Sequence, residues 1–148
     1  MKNLKLILIG LLTVFFSSSY CQQPNNKETK LEFEVFKEIP SEINACACYF
    51  SKSEMDYNSN EYIFVNDFAK YAFIKLNGEI EKFERIENSD KQTENTYRIY
   101  KNGDLTLQIE LTKKTPMGEE ISRLFGTMIL TNSKGLKVTM DFFGTCGC

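Results

Sequence analysis

Asn102-Gly103-Asp104-Leu105-Thr106-Leu107-Gln108-Ile109-Glu110-Leu111-Thr112 (NGDLTLQIELT) is the stretch on which the fold turns. Leu105, Leu107, Ile109 and Leu111 alternate with Thr106, Gln108, Glu110 and Thr112. Side chains of a strand point to opposite faces in turn, so this run reads as a strand with one face buried and one wet. The Asn-Gly pair before it supplies the positive φ that both central residues of a type I′ hairpin turn require. With Asn102-Gly103 as a two-residue loop, Lys101 lies opposite Asp104 and Tyr100 opposite Leu105.

The same signals recur on both sides. Asn77-Gly78 separates YAFIKL (71–76) from EIEKFERI (79–86) and predicts a second hairpin. Downstream, Pro116-Met117-Gly118 is a loop, and Ile121 to Thr131 is a strand in which Gly126 marks a bulge or a close backbone approach. Asn132 to Gly135 is a turn, after which Leu136, Val138, Met140 and Phe142 alternate with polar residues. Upstream, Tyr62 to Val65 and Ala45 to Phe50 are short apolar runs separated by the polar loop Lys52 to Glu61. Before them, Leu31, Phe33, Val35, Lys37 and Ile39 alternate with Glu32, Glu34, Phe36 and Glu38, and Pro40-Ser41 ends the run. No segment carries a helical period. The expectation is an all-β domain over 31–148: a single antiparallel meander of eight or nine short strands, closed as a barrel or folded as a barrel-like sandwich.

The N-terminus reads as an address. Lys2 and Lys5 precede the apolar run Leu6 to Phe16, then come Ser17, Ser18, Ser19, Tyr20 and Cys21. This is the order of a secretory signal, here residues 1–21, and the apolar run is shorter than the ~20 residues a membrane span needs. Cleavage after Cys21 leaves Gln22 first. The alternative is a lipoprotein in which Cys21 is retained and lipidated, although Tyr20 departs from the Gly, Ala or Ser that a lipobox prefers there. Residues 22–30 (QQPNNKETK) are a flexible lead-in. The expected location is periplasmic or extracellular, with membrane attachment only through Cys21.

Composition excludes several chemistries. Among 148 residues there is no His and no Trp. Without His there is no Ser-His-Asp or Cys-His catalysis and no His-ligated metal. A net charge of −2, falling to −4 once Lys2 and Lys5 leave with the signal, gives no basic surface for nucleic acid. No phosphate-cradling glycine loop or nucleophile elbow is present.

Four cysteines remain after the signal, as Cys46-Ala47-Cys48 and Cys146-Gly147-Cys148. Residues i and i+2 of a strand share a face, so each pair presents two sulfurs side by side. In an oxidising compartment an even set of cysteines forms a structural clasp between first and last strands. Antiparallel neighbours favour Cys46–Cys148 with Cys48–Cys146 over Cys46–Cys146 with Cys48–Cys148. The alternative use is a thiolate site for Zn²⁺ or Cu(I) at Cys46, Cys48, Cys146 and Cys148. Its Cys-x-Cys spacing is tighter than the Cys-x₂₋₄-Cys of structural zinc. Thiol exchange is a third use, but no basic residue within three positions of Cys146 or Cys148 would lower a thiol pKa.

Other constellations are weaker. Glu79, Glu81, Glu84, Glu87, Glu119 and Glu120 hold carboxylates that a glycosidase pair would need, but solvated strand faces explain them. Asp56, Asn58, Asn60 and Glu61 space oxygen atoms as a calcium loop would, without the turn glycine. Tyr49, Phe50, Tyr57, Tyr62 and Phe64 could line a partner-binding patch, and read more simply as core and rim.

CACYFS (46–51), YIFVNDFAKYAFIKLNG (62–78) and FFGTCGC (142–148), with the signal, resemble a group of small exported proteins of Bacteroidota-type bacteria. That resemblance implies a compartment and no activity. The chain also resembles the C-type lysozyme inhibitors, small exported β-barrels, some lipid-anchored, in its early cysteine, AFIKLNG at 72–78 and a late cysteine paired to the early one. It lacks the Ser-Ala-Ser-Gly-type loop that those inhibitors insert into the lysozyme active site, so no inhibitory residue carries over. The functional expectation is an exported, non-enzymatic binding or inhibitor-like module without a cofactor, whose partner is a protein or small ligand of the cell envelope.

Overall fold

The computed structural model describes residues 30–86 and 96–148. The signal, Cys21, residues 22–29 of the lead-in and Glu87 lie outside the described residues. Eight strands run in chain order: β1 (Ala47–Ser51), β2 (Phe64–Asn66), β3 (Tyr71–Leu76), β4 (Glu79–Arg85), β5 (Thr96–Asn102), β6 (Leu105–Pro116), β7 (Ile121–Thr131) and β8 (Lys137–Gly147). Each pairs antiparallel with the next, and β8 returns to β1, so the sheet is a closed barrel. Between barrel and sandwich, the barrel is what forms. Closure removes the two outer edges that a short-stranded open sheet would expose.

The alternation of β6 is the alternation of the wall. Leu107 and Ile109 are fully buried, and Leu105 and Leu111 pack against the same core. They share one core with Phe50, Phe64, Phe83 and Tyr100, so side chains fill the interior. Gly126 does both things expected of it. The register between β6 and β7 slips there, with Leu111 opposite Gly126 but Lys113 opposite Phe125, leaving Thr112 as the extra residue of a bulge. A Cβ on Gly126 would lie 1.9 Å from the Glu110 carbonyl oxygen.

Three expectations need correction. The second Asn-Gly pair is not itself the turn. Asn102 pairs with Leu105 and Lys101 with Thr106, so the loop is Gly103-Asp104 with positive φ at Gly103 alone, as in a type II′ turn. The shift by one residue keeps every side chain on its face and puts Asn102 on the ladder, where its amide donates to Glu81 Oε2 at 2.9 Å. Asn77-Gly78, by contrast, forms the expected loop, with both residues at positive φ and Leu76 opposite Glu79.

The Leu31–Ile39 run is not a regular strand. It makes two isolated bridges, Glu34 to Lys75 and Phe36 to Tyr62, where it wedges between the diverging ends of β2 and β3. Phe33 is buried at 1% exposure, yet so is Phe36 of the opposite parity at 5%, while Ile39 is 36% exposed. A wedge with neighbours on both sides buries both faces, which breaks the rule of one wet face. Finally, the Lys52–Glu61 loop contains a one-turn helix, α1 (Glu54–Asn58), whose N-cap Ser53 accepts from the Asp56 N–H.

Candidate functional site

The cysteines converge because β1 and β8 pair with Cys48 opposite Cys146. One step along the ladder on the same face lie Cys46 and Cys148. Two disulfides result, Cys46–Cys148 and Cys48–Cys146, closing sequence separations of 102 and 98 residues. They differ in setting: Cys48 is fully buried and Cys146 nearly so, whereas Cys46 is half-buried and Cys148 exposed. An inner and an outer bridge thus tie the first strand to the last. The thiolate-metal alternative is corrected by this pairing, since a sulfur bonded to sulfur carries no thiolate charge to give a metal. Among the described residues, no group of three or more His, Cys, Asp or Glu side chains is arranged to hold an ion.

A polar network backs the inner bridge, and sequence reasoning missed it. Asn66, 1% exposed, accepts from the Cys48 N–H and the Phe68 N–H, each at 3.0 Å, and donates to the Tyr100 hydroxyl at 2.9 Å. A buried amide satisfied on both ends fixes the β1–β2 register beside the disulfide. Phe68 has φ of 63°, held by a turn in which Asp67 Oδ1 accepts from the N–H groups of Ala69, Lys70 and Tyr71. The guanidinium of Arg98 lies 5.0 Å from the Phe68 ring centroid. Beside it an open cleft of about 190 Å³ is lined by Phe68, Lys114, Ser122, Leu124 and Cys146. The one signal in the sequence was Asn66-Asp67 at the end of an apolar run, which marks a turn but not a buried amide.

The aromatic candidates divide between inside and outside. Phe50 and Phe64 stack in the core at 4.8 Å between centroids. Tyr49 and Tyr62 lie on the outer face against Tyr57 of α1, whose hydroxyl bonds Thr145 Oγ1 at 2.6 Å. Burial, and then the neighbouring Tyr57 phenol, pushes the Tyr49 and Tyr62 phenols above their ordinary value. These rings are occupied with one another and form packing rather than an open platform.

The oxygen-rich candidates are also occupied. Asp56 accepts from the Ser53 hydroxyl at 2.8 Å, Glu61 pairs with Lys37 at 2.9 Å, and Asn60 accepts from the Tyr62 hydroxyl at 3.0 Å. The calcium-like spacing therefore does not converge on a point. Of the carboxylates, Glu84 pairs with Lys70 at 2.9 Å on the wet face, and Glu119 and Glu120 stand exposed in the β6–β7 connection.

Next to Tyr62, which bridges Phe36, residues 35–42 cross the outer face of the β3–β4 hairpin. They leave two open clefts, of about 380 and 490 Å³, which share Ile80. Comparison with known protein families, curated proteins and solved structures finds no match.

Proposed function

We propose that the chain is an exported, non-enzymatic binding module of the cell envelope, inhibitor-like in that a rigid barrel presents its outer surface to a partner. The observation that carries the reading is the filled interior. Phe50, Phe64, Phe83, Leu107 and Met128 are fully buried inside the wall, so recognition falls to the rim and outer face. The paired disulfides suit an oxidising compartment, and rigidity at the clasp favours a preorganised surface. Among the described residues no helix is long and apolar enough to cross a membrane.

Two measurements test it. Mass analysis of protein from producing cells should find a chain beginning at Gln22, or a diacylglyceryl group on Cys21; an intact Met1 terminus contradicts export. Cross-linking of the oxidised protein in the envelope of those cells should give one discrete adduct that alkylated, reduced protein does not form. A chain that never forms an adduct contradicts the binding role.

A further inference from the structure

We infer that the first half of β4 is an open strand edge that takes an extended peptide of alternating basic and apolar residues. This rests on the binding-module reading and names its site and partner chemistry. β4 pairs with β3 along Tyr71–Leu76, but among the described residues the β5 ladder meets it at Glu84 and Arg85 alone, with only the Asn102 side chain reaching further, to the Glu81 carboxylate. Among the described residues, no main-chain group pairs with Glu79–Lys82 on the side away from β3. The two-residue turn at Asn77-Gly78 makes Leu76 and Glu79 a hydrogen-bonded pair, and antiparallel pairs alternate in this respect. Glu79 and Glu81 therefore direct their main-chain groups to β3. Ile80 and Lys82 direct theirs outward, as does any strand edge awaiting a partner.

Side chains define the partner. Glu79 and Glu81 lie on one face of this edge, and Ile80 and Lys82 on the other. Ile80 is 41% exposed and forms the shared wall of the two clefts, beside Ile39, Pro40 and Phe73. An added strand places alternate residues next to the carboxylates and the others next to the Ile80 cleft. Lysine or arginine suits the first set and an aliphatic residue the second. A second copy of this chain fits poorly: the register that sets Ile80 opposite Ile80 sets Glu79 against Glu81, like charge on like charge.

The test uses the oxidised, isotope-labelled protein and the synthetic peptide Lys-Val-Lys-Thr-Lys-Val-Lys. The expected result is saturable binding with amide shift changes centred on Glu79–Lys82. Methylating the peptide nitrogens that face β4 should weaken binding about tenfold or more, as loss of a pair of hydrogen bonds implies. Ile80→Pro, which removes one outward N–H, should abolish it. If that variant fails to fold, Glu79→Lys, at the exposed end of the strand, should shift preference to the peptide with glutamates in place of lysines. Equal binding of the methylated peptide, or no binding of the lysine peptide, overturns the edge. Saturable binding with shifts elsewhere, or an envelope adduct that persists in Ile80→Pro, overturns the edge while leaving the binding-module reading intact.

Discussion

Single residues decide whether the wall can close. Gly126 sits where β6 bulges, and any Cβ there meets the Glu110 carbonyl oxygen at 1.9 Å and the Phe142 ring at 2.9 Å. Neither neighbour can yield cheaply, because one is ladder backbone and the other is core. Gly126→Ala should therefore cost about 2 kcal/mol or more, in the range of overpacked cores. Gly118→Ala, in an exposed loop with nothing within 4 Å of its Cβ, should stay within about 0.5 kcal/mol. Denaturant melts of both variants check the contrast, and equal costs would remove the close approach. A lone glycine in a strand pattern could be read from the sequence because few other roles suit it. Asn66 could not: an amide is as common in turns as in cores, and only the meeting of Cys48, Phe68 and Tyr100 around it makes it structural.

Elements were legible in proportion to how one-sided their surroundings are. β6 has core on one face and water on the other, so period two survives along it. Leu107→Ala should cost about 2–5 kcal/mol as a buried truncation. Thr106→Ala, on the opposite face of the same strand, should cost no more than about 0.5. Thermal and denaturant unfolding of the pair checks this, and comparable losses would mean that the strand's faces are misassigned. The segment around Phe33 and Phe36 obeyed no period because its neighbours lie on both sides. The Gly103-Asp104 turn was misplaced by one residue because Asn-Gly satisfies a type I′ turn and Gly at the first position satisfies a type II′ turn equally well. Local propensity left the choice open; the Asn102–Glu81 hydrogen bond to the neighbouring strand goes with the second. The open edge of β4 was invisible for a similar reason, since strand lengths in a pair are set by where each turn falls.

At the scale of the molecule, the clasp is the central claim. Two bridges join residues about a hundred positions apart, so the oxidised denatured chain is a closed ring. Chain-entropy arithmetic assigns about 4.7 kcal/mol to the first closure of a loop of about 100 residues, and much less to the second, which closes a ring already made. Reduction should lower the melting temperature strongly, and added zinc or chelator should leave it unchanged in either state. A chelator-sensitive protein would instead be holding metal through thiolates. The clasp was legible because Cys-x-Cys at both ends of a strand meander leaves few other geometries. Which sulfurs pair needed the β1–β8 register. Peptide mapping of the oxidised protein under non-reducing conditions tests this most directly. The account predicts Cys46 joined to Cys148 and Cys48 joined to Cys146. Cys46 joined to Cys48, or four free thiols, would contradict it.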